Sequence, residues 1–112
     1  MTNWTPTPGN CYEDAVMVAR EKEGFLIVHG FPTLTRGSGQ APAGSQYGHA
    51  WLEKGDIVYD PLADKEIPKV LYYAFGQIDK EDVRKYNVRE AVEMMLDFEH
   101  FGPWHEGPEG AF

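Results

Sequence analysis

Apolar positions along the chain fall into short runs punctuated by glycine, proline and charge, and the spacing of each run predicts an element. Residues 1–9 carry Pro6, Pro8 and Gly9 among threonines and read as an extended lead-in. Ala15-Val16-Met17-Val18-Ala19 is apolar around most of a helical cylinder, then gives way to the charged run 20–23 and Gly24. Asn10 stands at the N-cap position with Glu13 three residues on, a capping-box spacing, so a largely buried helix with Cys11 in its first turn is expected. The run 25–28, Phe-Leu-Ile-Val, lacks polar alternation and predicts a strand covered on both faces, central in its sheet.

Residues 47–53 and 56–60 predict two strands joined at Lys54-Gly55, with glycine second in a type I′ turn. Pro68 opens a short helix through Val70, Leu71, Tyr72 and Phe75 to Gly76, and 83–86 predicts a further short strand. Asn87 and Glu90 repeat the capping-box spacing ahead of a stripe at Val88, Ala91, Val92, Met95 and Phe98, which Gly102-Pro103 ends. Between the elements, 35–48 is rich in Gly, Ser, Pro and Gln, and 36–46 reads as a flexible loop or lid; 103–112 reads as a tail. No internal repeat is visible. These elements read as a single domain, 1–112, with a helix near each end of the chain and short strands between.

Composition narrows the function. At 112 residues the chain suits one domain, and 42% hydrophobic with 13% aromatic residues is enough for a core. One cysteine excludes an internal disulfide framework and a multi-cysteine zinc cage, and suits a reducing interior. The net charge of -8 repels phosphates and anionic lipid headgroups, so neither nucleic acid nor membrane is an expected partner. No apolar run approaches the roughly 18 to 20 residues of a membrane span, and the opening Met1-Thr2-Asn3-Trp4 lacks the marks of a signal peptide, so a cytoplasmic location is expected. The oligomeric state is not set at this level.

The stock catalytic signatures are absent. Gly37, Gly39 and Gly44 are not followed by Gly-Lys-Ser/Thr, and there is no G-x-S-x-G elbow, H-E-x-x-H or deaminase cysteine pair. What stands out is Cys11, His49 in Gly-His-Ala-Trp-Leu-Glu, and Asp60 in Val-Tyr-Asp-Pro. A two-residue turn at Lys54-Gly55 makes Glu53 face Asp56, and counting back along both strands sets Asp60 opposite His49 on the same face. A carboxylate there would fix the tautomer of the imidazole. A lone cysteine is ordinarily a small buried hydrophobe, but at a helix N-terminus beside an imidazole it gains the environment of a nucleophile. Cysteine, histidine and an orienting carboxylate together carry acyl transfer through a thioester.

The order Cys11, then His49 in H-A-W-x-E, then Asp60 in D-P, on helix, strand and strand, resembles the papain-like and transglutaminase-like superfamily over a little under half the chain. The chain is also similar to small phage and bacterial proteins built on that core. The resemblance implies an α+β fold with a papain/transglutaminase-like core, in which the N-terminal cysteine helix packs on a small antiparallel sheet that presents the His and Asp, with a C-terminal helix. It also implies Cys11 as nucleophile, His49 as general base and then acid, and Asp60 as the orienting residue. The chain departs from the family in its shortness, with only 11 residues from His49 to Asp60, so the substrate-binding parts of larger members are missing.

For the oxyanion, the Cys11 backbone N–H at the helix start is one candidate donor, with Asn10, Trp4 or Gln46 as a second. Trp51 reads as core or site wall, Glu53 as a solvated hairpin end, His29 as a satisfied structural histidine, and one of Tyr72 and Tyr73 as core. His100, Trp104 and His105 lack ligand spacing with the cysteine, so neither a metal nor a cofactor is expected. The leading expectation is a cysteine hydrolase or acyltransferase acting on an amide, isopeptide or thioester bond in a protein or peptide. The alternatives are a catalytically weak or inactive protein-binding module on the same fold, and a zinc site through Cys11, His49 and Asp60.

Overall fold

The computed structural model describes residues 4–7, 9–34 and 42–108. In chain order they form α1 (Cys11–Ala19), β1 (Leu26–Gly30), β2 (His49–Lys54), β3 (Ile57–Asp60), β4 (Lys65–Pro68), α2 (Lys69–Gly76), a 3-10 turn (Lys80–Asp82), β5 (Arg84–Tyr86) and α3 (Val88–Phe98). The strands make one antiparallel sheet in the order β4-β3-β2-β1-β5, so the domain is α+β. Among the described residues no helix is long and apolar enough to cross a membrane.

Alternation along the strands sorts the core into two layers. Ile27, Ala50, Leu52 and Tyr59 face α1 and α3, where they meet Ala15, Val16, Val18, Ala19 and Ala91. Val28, Trp51 and Val58 face the other way and pack with Ile78 and with Tyr72 and Tyr73 of α2. This double cover is why the run 25–28 lacks polar alternation, although β1 is interior and β2 is the middle strand. Gly30 ends β1 under the Trp51 ring, where a Cβ would lie 2.4 Å from the indole.

Several sequence expectations need correction. The β2–β3 turn is Gly55-Asp56 rather than Lys54-Gly55: Lys54 pairs with Ile57, Glu53 with Val58 and Leu52 with Tyr59. Gly55 has φ +58 and Asp56 does not share the positive φ, which is the type II′ pattern with glycine first. Asn10 makes no side-chain cap, because its backbone (φ -114, ψ 33) is not in the extended conformation that turns a cap inward, whereas Asn87 and Glu90 form the full capping box at 2.7 and 2.9 Å. Strand β4, Lys-Glu-Ile-Pro, carries no apolar alternation because it is an edge, and its closing proline sits where an edge tolerates one.

Residues 103–108, read from sequence as the start of a tail, lie against the sheet: Trp104 packs on the α1-side core with its ring 5.0 Å from His29 and 5.1 Å from Tyr86. The remainder, 109–112, lies outside the described residues. So do residues 36–41 of the predicted lid, while its later part is tied back by Gly44 N–H donating to Leu34 O (2.9 Å) and Leu34 N–H donating to Ser45 O (2.8 Å).

Candidate active site

His49 opens β2 and Asp60 closes β3, and because the two strands run antiparallel both residues stand at the same end of the sheet. The observed register, continued one step, sets Asp60 beside Trp51 rather than His49. His49 lies two residues away on the same face, within diagonal reach. The side chains close that gap: His49 Nε2 lies 3.1 Å from Asp60 Oδ2. Cys11 is the first residue of α1, which packs on the opposite face, and it lies near enough to His49 to favour the charged imidazole.

Both members of the pair are mostly covered, with 15% and 14% of their side-chain surface exposed. Burial pushes the His49 imidazole toward its neutral form, but bonds and charge from Asp60 and then Cys11 outweigh it and hold the pKa up to about 9. Burial likewise works against the Asp60 carboxylate, and its bonds to His49, Tyr72 and Leu62 overcome that and keep it below its ordinary value. Those bonds occupy both oxygens: Leu62 N–H donates to Oδ1 at 3.2 Å, and Tyr72 O–H donates to Oδ2 at 2.9 Å. With Nε2 facing the carboxylate, Nδ1 is the nitrogen left to exchange a proton with sulfur.

The pair opens into a cleft of about 550 Å³ walled by Leu34, Tyr47, Ile67, Tyr72 and Phe75, and among the described residues no lysine or arginine lines it. Cys11 lines a separate small hollow of about 20 Å³ with Asp14 and Pro61, and Asp60 borders both spaces.

The other candidates are placed as follows. Trp51 is fully buried, with its ring 5.9 Å from His49 and its indole N–H donating to Glu53 Oε2 at 2.8 Å. Trp4 donates its indole N–H to Asp14 Oδ1 at 2.7 Å, and Gln46 donates its amide to Phe31 O at 3.3 Å, so both side-chain donors are engaged within the fold. Asn10 is exposed at the helix start.

Two sequence expectations nearby are overturned. Glu53 is not solvated: only 2% exposed, it also accepts from Tyr73 O–H at 2.5 Å and pairs with Lys85 at 3.0 Å and Lys69 at 3.4 Å. His29 is not satisfied: 1% exposed, it has no hydrogen-bond partner at either ring nitrogen and is enclosed by Tyr12, Tyr86, Trp104 and His105.

Sequence reasoning missed Tyr47, Tyr72 and Asp14. Tyr47 was readable, since two residues before His49 puts it on the same side of an extended chain, and its ring is 5.9 Å from the imidazole. Tyr72 carried no local signal, because its hydroxyl meets Asp60 only when α2 folds back on the sheet. Asp14 is buried in the first turns of α1, where it holds the lead-in through Trp4 and the Thr7 N–H (3.1 Å). Among the described residues no three of His, Cys, Asp and Glu are grouped to hold a metal ion. Compared with known protein families, with curated proteins and with solved structures, the chain finds no match.

Proposed function

We propose that the protein is a cysteine-dependent hydrolase or acyltransferase acting on an amide, isopeptide or thioester bond of a protein or peptide. One observation carries this reading: His49 is bonded to Asp60 at the edge of a cleft, and Cys11 is a close enough neighbour to favour the charged imidazole. In the forward step His49 takes the thiol proton and the Cys11 sulfur adds to the substrate carbonyl. The tetrahedral intermediate then collapses to a thioester as the bond to the leaving group breaks, and His49 returns the proton to that leaving group. In the second step His49 deprotonates water or an acceptor amine, which attacks the thioester and releases Cys11. An imidazole that keeps its proton to about pH 9 suits the acid half of this cycle.

Asp60 holds the ring and stabilises the imidazolium. As first residue of α1, Cys11 has a backbone N–H with no intrahelical acceptor, available to the oxyanion. The order of Cys11, His49 and Asp60 on helix, strand and strand supports a papain- and transglutaminase-like relationship, and a free thiol nucleophile fits a reducing compartment such as the cytoplasm.

A second reading, a catalytically weak protein-binding module, is favoured by the exposed apolar side chains of α2, with Val70 and Phe75 each 74% exposed. The rate of Cys11 alkylation by iodoacetamide between about pH 5 and 10, followed by intact mass, separates the two. The catalytic reading expects His49→Ala to slow alkylation below about pH 8 by about tenfold. Superimposable profiles would leave an ordinary thiol and favour the binding module.

A further inference from the structure

We propose that Tyr72 is a positioning residue for the His49–Asp60 pair: its hydroxyl grips the carboxylate oxygen that faces the imidazole and so ties the proton-transfer geometry to helix α2. This rests on the catalytic reading given above only for its consequence on Cys11. The bond itself is independent of that reading.

Asp60 is the last residue of β3, paired with Lys65 at the end of the β3–β4 ladder, where the strand gives way to a turn. Three bonds orient its carboxylate. Leu62 N–H anchors Oδ1 at 3.2 Å, and Oδ2 is shared between His49 Nε2 at 3.1 Å and Tyr72 O–H at 2.9 Å. Of these, Tyr72 is the only side chain other than His49, and it lines the same cleft. Burial and then the charge of Asp60 push the Tyr72 hydroxyl above its ordinary range, so it stays a neutral donor wherever the pair operates.

Helix α2 has no fully buried residue, and its two adjacent tyrosines both pack on the Trp51 ring, with centroids at 5.3 and 6.0 Å. Tyr73 makes the same kind of bond as Tyr72, hydroxyl to buried carboxylate, but to Glu53, which does not touch His49. The helix thus carries its own control. Loss of either hydroxyl weakens the docking of α2, and only the loss at Tyr72 frees the oxygen that faces the imidazole.

The experiment is an NMR titration of the His49 ring, with the Cys11 alkylation profile, in wild type, Tyr72→Phe and Tyr73→Phe. Burial disfavours the charged imidazole and the contact with Asp60 counters it. An Oδ2 free to swing into the cleft therefore lets the His49 titration in Tyr72→Phe fall by about one pH unit, with slower alkylation at neutral pH. Tyr73→Phe leaves both readouts at wild type. In an Asp60→Asn background Tyr72→Phe adds nothing further. Equal shifts in the two tyrosine variants, no shift in Tyr72→Phe, or additive effects with Asp60→Asn would each overturn the assignment. If His49→Ala leaves wild-type alkylation unchanged, the catalytic reading falls, while the His49 titration still decides the role of Tyr72.

Discussion

Removing the Glu53 carboxylate leaves two buried donors, Trp51 Nε1 and the Tyr73 hydroxyl, without their acceptor, and two lysines, Lys69 and Lys85, without their counter-charge. Breaking a buried, hydrogen-bonded charge from one side is among the costliest single changes, so Glu53→Ala is expected to lose about 3 kcal/mol, read from urea midpoints. A loss as small as that of a surface substitution would show that the network is dispensable. At this scale the residues of the candidate site divide by what makes them recognisable. Cys11, His49 and Asp60 were legible because their chemistry is scarce in the chain and their order is informative. Glu53 and Tyr72 were not, because a glutamate beside a hairpin and a tyrosine on a short helix are commonplace until the sheet and α2 close on them.

Two helices open on Asn with Glu three residues later, and only one uses the motif. Asn87→Ala removes a cap and is expected to cost about 1 kcal/mol, while Asn10→Ala, with no side-chain cap to lose, is expected to change stability by less than about 0.5 kcal/mol; chemical denaturation of the two variants checks the difference. The hairpin shows the same limit and its remedy. Placing the turn one residue too early shifted the pairing by two, which kept the parity of every side chain, so His49 and Asp60 remained on one face although they are not direct partners. A loop one residue longer would have reversed the faces and separated them. The elements without a periodic apolar signature, β4 above all, were not legible, because an edge strand is defined by its neighbour and not by its own pattern.

For the whole molecule, two histidines set opposing limits on pH. Burial, and then the nearby His105, lower His29 from 6.5 to about 3, so below about pH 6.5 the unfolded chain takes up a proton that the folded one refuses, and stability falls as pH drops toward 3. His49, raised to about 9, contributes stability that is complete below about pH 6.5 and is lost as pH rises through 9. Asp60 and Glu53, both lowered, add to the acid loss as they protonate. Melting temperature is therefore expected to peak near pH 6.5. His29→Phe, an aromatic replacement inside an aromatic enclosure, should flatten the decline between about pH 6.5 and 5, and His49→Gln should flatten that between 7 and 9. An acid limb unchanged in His29→Phe would assign it to the carboxylates alone.

The sequence by itself determined the helix opening at Cys11, the buried strand ahead of His29, the capped C-terminal helix and the side of the sheet shared by His49 and Asp60. These follow from periodicity and parity, which are local properties of the chain. Only the tertiary structure decided that Asp60 is shared between His49 and Tyr72, that Glu53 is buried under two lysines, and that Trp104 seals His29 from water. Each of those contacts joins residues distant along the chain, and the free energy of burying a polar group depends on who its partners are, which no local pattern specifies.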